Sequence, residues 1–230
     1  MSGSRRRAVV AAALLVSCGG QRQEGPGGDL DCPAGAHIVR GWNDLHGNYE
    51  AWCVDAHGLR QGIGRRYDED GRLFFEATFK DDKADGLTTD YHKNGAVKSL
   101  SMWRDDEPDG PWTEYDEHGA LEAQERYVAG QRRETIVWDH GRPVWQQKYR
   151  DGTEDGLYRT WYENGKIRRE GNFRDGTFDG VVLGYDERGV LSGVQRWKNG
   201  KAVPKEEVRA ELERALEAER ERSAGAEGDD

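Results

Sequence analysis

The chain has 230 residues, of which 35% are hydrophobic and 34% are charged, and its formal net charge is -10. This composition argues against a single thick core. The acidic balance argues against a nucleic acid as partner and against charge-driven binding to anionic lipid, because both of those surfaces are themselves negative.

The first 17 residues are predicted to be an export signal. Three arginines at 5–7 precede an apolar run over 8–16 that is too short to span a bilayer. The run ends in Leu15-Val16-Ser17-Cys18, which resembles the lipobox of bacterial lipoproteins. The resemblance implies cleavage before Cys18 and acyl chains on that cysteine, and several chains together anchor a protein stably. An ordinary cleaved signal with an incidental cysteine is the alternative.

Residues 18–31 are predicted to be a flexible tether, because they are rich in glycine and polar residues. Gly19 follows Cys18, where an Asp would resemble an inner-membrane retention signal. We therefore expect a protein of the bacterial cell envelope, held to the membrane through the lipid on Cys18, with the outer membrane favoured.

Residues 32–61 are predicted to be an N-terminal β cap that covers the edge of the repeats, since an unpaired edge invites aggregation. It holds the other two cysteines, Cys32 and Cys53. In an exported protein such a pair suggests a disulfide, with free thiols or a metal site as alternatives. Two short strands, over 37–39 and 49–52, are expected, and a loop at 43–48 is expected to join them.

A frame of glycine and aromatic residues recurs along 62–203. Its leading glycines lie 24, 24, 46 and 24 residues apart, at Gly62, Gly86, Gly110, Gly156 and Gly180, and the long interval holds a sixth unit from Glu134 that is two residues shorter. An aromatic follows five places later, at Tyr67, Tyr91, Tyr115, Trp161 and Tyr185. A second glycine comes nine places after the first, at Gly71, Gly95, Gly119, Gly165 and Gly189. A further aromatic closes each unit, at Phe79, Trp103, Tyr127, Phe173 and Trp197.

This pattern predicts tandem β-hairpins, because Asn-Gly and similar turns separate runs with the composition of half-buried strands. It resembles the bacterial variant of MORN repeats. The resemblance implies an all-β fold, an elongated single-layer antiparallel meander of about six stacked hairpins. We expect every glycine of the frame at a turn that needs positive φ. Glu107-Pro108-Asp109 is expected to replace one glycine-containing closing turn, and an irregularity is expected over 134–143, where Pro143 removes a ladder donor.

The C-terminal residues 204–222 are predicted to form an α-helix. Pro204 suits its first turn, and Val208, Leu212, Ala215 and Leu216 form a narrow apolar stripe at helical spacing. The helix is expected to cap the last hairpin or to project into solvent, with a short coiled coil as the alternative. Residues 223–230 are expected to be disordered.

No motif for catalysis, nucleotide binding or metal binding is found, so we expect a protein that is not an enzyme and has no cofactor. The six histidines lack ligand spacing, and those at His92, His118 and His140 fall at hairpin turns. The many aspartates at the turns are explained by turn chemistry, because their side chains bond nearby backbone amides. A carboxylate pair for glycoside hydrolysis or a row of Ca²⁺ sites is the alternative use of the same residues.

The remaining candidate is a binding surface. Most repeated aromatics are expected to pack between hairpins, and four others are expected to line the exposed trough: Trp112, Trp145, Tyr158 and Tyr162. Aromatic and Arg side chains are suited to an extended peptide, a glycan or another protein. The first hypothesis is a scaffold for a protein partner in the envelope. An antitoxin or immunity-like protein, suggested by the grouping of similar repeats with putative antitoxins, and a binder of cell-wall polysaccharide are the alternatives.

Overall fold

The computed structural model describes residues 28–204 and, beyond them, residues 206, 207, 209, 213, 214, 216 and 217. The described chain is almost entirely β-structure in one antiparallel sheet. The strands are β1 (His37–Asn43), β2 (Asn48–Val54), β3 (Arg60–Tyr67), β4 (Leu73–Lys80), β5 (Lys83–Tyr91), β6 (Val97–Arg104), β7 (Glu107–Tyr115), β8 (Leu121–Val128), β9 (Gln131–Asp139), β10 (Arg142–Arg150), β11 (Thr153–Trp161), β12 (Ile167–Arg174), β13 (Thr177–Phe178), β14 (Gly180–Tyr185), β15 (Leu191–Lys198) and β16 (Lys201–Ala202).

The sheet is a meander in which each strand pairs with the next along the chain, except that β13 and β14 both pair with β12. Six hairpins follow the cap: β3–β4, β5–β6, β7–β8, β9–β10, β11–β12 and β14–β15. They confirm the predicted single-layer arrangement of stacked hairpins.

Two kinds of connection alternate along the sheet. Within most hairpins the strands are joined by five residues, such as 116–120 between β7 and β8. The Oδ1 of Asp116 accepts hydrogen bonds from the backbone N–H groups of His118 and Ala120. These bonds lower the pKa of Asp116, and the bond from Ala120 has the larger effect. Between hairpins the connection is two residues, such as Asp105–Asp106, both with positive φ. The five-residue connections within hairpins therefore lie along one long edge of the sheet, which we call the loop edge, and the two-residue turns between hairpins lie along the other, the turn edge.

The leading glycines correct one expectation. They have positive φ as predicted, but four of them lie inside strands at β-bulges and the fifth, Gly180, begins β14. Gly86 is the clearest case, because the register between β4 and β5 shifts around it and a Cβ there would lie 3.1 Å from the Cβ of Thr78. The bulge, rather than a turn, requires the left-handed backbone. The second glycine of each unit does lie in a hairpin connection.

A second expectation is also wrong. The closing turn of the second hairpin is Asp105–Asp106, and Glu107 is the first residue of β7 rather than part of the turn. Two aspartates replace the usual glycine because Asp tolerates the left-handed region better than most residues. The expected irregularity in the fourth unit is present: the register shifts between Pro143 and Trp145, and two residues, 140–141, join β9 to β10 in place of five.

The segment of the predicted cap forms β1 and β2, which pair with each other, and β2 also pairs with β3. The predicted disulfide joins Cys32 and Cys53. The end of the predicted tether is packed rather than free: Leu30 is only 6% exposed and lies in a small core with Ala51, Cys53 and Tyr67. Leu30 is buried because it is the one apolar side chain of that stretch and lies two residues from the disulfide.

The signal, Cys18 and the rest of the tether lie outside the described residues, as does the tail over 223–230. The described residues between 206 and 217 have helical backbone, and the remainder of the predicted C-terminal helix stays a prediction. Among the residues described, no helix has the length and apolar character needed to cross a membrane.

Candidate binding face

The register of the strands determines which side chains share a face, because residues directly opposite each other on neighbouring strands point to the same side. Followed across the sheet, it separates the two aromatic series of the repeat. One side, the Tyr67 face, carries Tyr67, Tyr91, Tyr115, Trp138, Trp161 and Tyr185. The other, the Trp103 face, carries Phe79, Trp103, Tyr127, Tyr149, Phe173 and Trp197.

Three rings form a contiguous group at the centre of the Trp103 face. The ring centroids of Trp103 and Trp112 are 6.0 Å apart, and those of Trp112 and Tyr127 are also 6.0 Å apart. Each indole nitrogen has a partner, since Nε1 of Trp103 donates to Ser101 Oγ at 2.8 Å and Nε1 of Trp112 donates to Glu114 Oε1 at 3.2 Å. The rings are therefore held in place and are half-buried.

A second group of rings occupies the C-terminal part of the same face. Phe178 lies at its centre, with ring centroids at 4.2 Å from Phe173, 5.3 Å from Tyr158 and 5.3 Å from Trp197. Phe178 belongs to the short strand β13 and was not singled out by the repeat pattern, because no other unit has an aromatic at that place. Tilted and edge-on ring contacts of this kind add about 0.5–1.5 kcal/mol each beyond burial.

Near the cap, arginines lie over the rings. Trp52 and Phe79 meet edge to face at 5.4 Å, and the guanidinium of Arg60 lies 4.1 Å from the centroid of Phe79. Arg66 lies 5.3 Å from the centroid of Trp52 and forms an ion pair with Glu50 at 3.1 Å. Cation–π contacts thus extend the aromatic surface with two arginines, whose charges are balanced by Asp82 and Glu50.

A row of small side chains separates Trp52 from Trp112. The register places Gly64, Ala77, Thr88 and Ser101 side by side across four strands, between the two indoles. Ala77 and Ser101 are each 1% exposed, although the sheet has a single layer. The indole of Trp103 lies beside Ser101, to whose Oγ its Nε1 donates. The small side chains of this row leave room for the flanking rings of Trp52 and Trp112 on the same face.

A polar network lies between the two groups of rings. Glu125 accepts hydrogen bonds from Tyr127 Oη at 2.6 Å, Thr135 Oγ1 at 3.0 Å and Arg132 Nη1 at 3.2 Å. Burial and, next, the bond to Glu125 raise the pKa of Tyr127 to about 12. The Arg132 guanidinium also lies 4.3 Å from the ring centroid of Tyr149. It therefore fills the gap between the aromatic side chains of this face at the shortened fourth unit.

The structure brings three of the four predicted surface residues together. Trp112, Trp145 and Tyr158 all point to the Trp103 face and are half-buried. Tyr162 does not join them, because it lies in a five-residue connection on the loop edge, where its hydroxyl donates to the carbonyl oxygen of Tyr185 at 2.8 Å. Sequence reasoning missed the network around Glu125, and the one available signal was the Glu-x-Tyr spacing that puts both side chains on one face of β8.

Among the described residues, no group of three or more His, Cys, Asp and Glu side chains is arranged to hold a metal ion. Several aspartates of the turn edge instead form ion pairs with arginines. Arg104 pairs with Asp109 at 2.9 Å, Arg150 with Asp155 at 2.7 Å and Arg174 with Asp179 at 3.2 Å. The spacing of five residues recurs because each pair spans one two-residue turn.

Three segments match the model of the MORN repeat variant: residues 60–81, 108–129 and 154–175. They coincide with the first, third and fifth hairpins. The chain carries MORN repeats of this variant type. The intervening hairpins, β5–β6, β9–β10 and β14–β15, continue the same sheet although the matches do not extend to them.

A solved structure of a porin-like protein from Bacteroides uniformis matches with 16% sequence identity, over 68% of this chain and 85% of that chain, with a TM-score of 0.18. That score is too low to relate the two proteins in shape or function. No curated protein matches the sequence.

Proposed function

We propose that this MORN-repeat protein is a non-catalytic scaffold of the bacterial cell envelope, anchored by lipid at Cys18, that binds a protein partner through its Trp103 face. The observation that carries the proposal is the series of half-buried rings and arginines along that face. Trp112, Trp145 and Tyr158 stand along it beyond the rings of the repeat pattern. Trp, Tyr and Arg are the side chains that most often dominate protein–protein binding energy.

The rings are also pre-ordered for binding. Trp112 is held by its contacts to Trp103 and Tyr127 and by its bond to Glu114. A side chain that is already fixed loses little conformational entropy when a partner covers it. The opposite face is less available near the cap, where Leu30 and Cys32 lie on it.

Site-specific photo-cross-linking in the producing bacterium tests the protein-binding proposal. A benzoylphenylalanine at Trp145 replaces one aromatic with another on the Trp103 face, and the same group at Leu87, which is 46% exposed on the Tyr67 face, is the matched control. We expect a discrete protein adduct from position 145 that is absent from position 87. Adducts only from position 87, or from neither position, would refute binding through the Trp103 face.

The lipid anchor is tested separately. If Cys18 is the acylated residue, globomycin should cause an uncleaved precursor to accumulate, and Cys18→Ala should release the protein from the membrane fraction. Mature protein that forms normally in globomycin and fractionates as soluble would contradict the anchor without bearing on the binding face.

A further inference from the structure

Strand β1 is an open edge of the sheet. It pairs with β2 and with no other strand of the described chain. In an antiparallel ladder, alternate residues of an edge strand direct their N–H and C=O groups outward, where another strand can bind them. β1 is seven residues long, so it presents a full-length edge.

This edge lacks the protection that edge strands usually have. Val39 and Trp42 are 45% and 50% exposed, whereas charged residues and prolines are the usual edge protection. The one charged side chain of β1 apart from His37 is Arg40, and it is already engaged by Asp29 Oδ1 at 3.5 Å and Gly28 O at 3.3 Å. Apolar side chains are therefore exposed where unpaired backbone is also exposed.

We propose that β1 pairs antiparallel with β1 of a second copy, so that one sheet runs through a two-fold dimer. In the register centred on Arg40, Ile38 of each copy lies opposite Trp42 of the other on the Tyr67 face, and Val39 lies opposite Gly41 on the Trp103 face. Aromatic side chains opposite β-branched ones are favourable cross-strand pairs. Arg40 meets its own copy at the axis, and its contact with Asp29 offsets the repulsion between the two guanidinium groups.

The two ends of the sheet favour a closed dimer over a filament. Head-to-tail stacking would pair β1 with β16, but β16 is only two residues long. A symmetric contact between two β1 strands uses all seven residues on each side. An isologous contact also closes on itself, whereas a head-to-tail contact propagates.

The dimer places both copies in the same orientation. A two-fold axis normal to the sheet keeps the two Tyr67 faces on one side and the two Trp103 faces on the other. Arg40 holds Gly28 beside the axis, so both chains enter the sheet close together on the Tyr67 face. The inference does not depend on the proposed function, since dimerisation leaves the Trp103 face free.

Disulfide trapping tests the register. Residues directly opposite in an antiparallel pair have Cα atoms about 4.5–5.5 Å apart, within the range that a disulfide spans. We expect Arg40→Cys in the full chain, oxidised in the producing cells, to form a covalent dimer through residue 40, as located by mass spectrometry. Leu45→Cys, whose residue is 91% exposed in the neighbouring loop, should not form one, and the unchanged chain reports any link through Cys18.

A second variant removes the apolar contacts without touching the cysteine. Adding Val39→Lys and Trp42→Lys to Arg40→Cys should lower the yield of covalent dimer by about tenfold, because cross-strand contacts are replaced by like charges. Leu87→Lys on the same background, at an exposed site away from β1, should leave the yield unchanged. An Arg40→Cys thiol that reacts with maleimide but forms no dimer, or equal dimer yields at positions 40 and 45, would overturn the proposal.

Discussion

The ring of Trp52 lies across the backbone of Gly64 on the neighbouring strand. A Cβ at residue 64 would be 1.9 Å from the Cε3 atom of that ring, and the two residues are direct register partners. The indole also donates to Glu50 and meets Phe79 edge to face. Gly64 is therefore required by a close approach rather than by its φ, and it fixes the first ring of the Trp103 face.

Replacing Gly64 by Ala should destabilise the protein by about 2–4 kcal/mol, because the indole must leave its position and lose its contacts. Equilibrium unfolding in urea, followed by Trp fluorescence, measures the change. Gly193→Ala is the matched control, since a Cβ at that strand glycine has no neighbour within 4 Å. A loss of less than about 0.5 kcal/mol for Gly64→Ala would mean that the ring is free to move.

Removing the disulfide should destabilise the cap. Cys32 and Cys53 are 21 residues apart, and closing a loop of that size contributes roughly 3 kcal/mol. We expect Cys32→Ser with Cys53→Ser to lower the unfolding midpoint, and dithiothreitol to lower that of the parent chain but not that of the variant. Equal midpoints for the oxidised and reduced parent chain would show that Leu30 and its neighbours hold the cap without the bond.

The network at Glu125 should make the free energy of unfolding fall at alkaline pH. The pKa of Tyr127 is raised to about 12 in the folded chain, against an ordinary value near 10. Because the folded pKa is the higher one, the contribution of Tyr127 is present below about pH 10 and is lost as the pH rises towards about 12. Urea unfolding across that range should show the decline, and Tyr127→Phe should make it shallower. An identical pH profile for Tyr127→Phe would contradict this assignment.

The contribution of a single hydrogen bond between successive hairpins to stability should be measurable on the loop edge. Asn164 donates its Nδ2 to Glu187 O in the next unit at 2.6 Å and accepts the N–H of Lys166 at 3.0 Å. We expect Asn164→Ala to cost about 1–2 kcal/mol and Asn164→Asp to cost less, because Asp keeps the local acceptor and loses only the inter-unit donor. Asn172→Ala, at an exposed strand position, is the control. Equal losses for the Ala and Asp variants would assign the whole effect to the inter-unit bond.

The sequence by itself determined the architecture. Strands repeat because glycines and aromatics recur at fixed intervals, and a hairpin of that length can bury its apolar side chains only against neighbouring copies. The glycines at 71, 95, 119, 165 and 189 predicted their hairpin connections, because a left-handed residue is needed there whatever surrounds it. Cys32 and Cys53 were paired correctly because they are the two cysteines that remain once Cys18 is assigned to the lipid.

The tertiary structure alone decided which side chains meet. Gly86 occupies a bulge rather than a turn, and each bulge shifts the register, so the faces of Trp103 and Tyr67 could not be assigned by counting along the chain. Tyr162 does not lie on the predicted surface, because it is one residue beyond the end of β11. Glu125 lies on β8, whereas Arg132 and Thr135 lie on β9, and their network exists only because the register of the two strands brings them within hydrogen-bond distance. Spacing within a strand is a local property, whereas contact between strands depends on every bulge that precedes it.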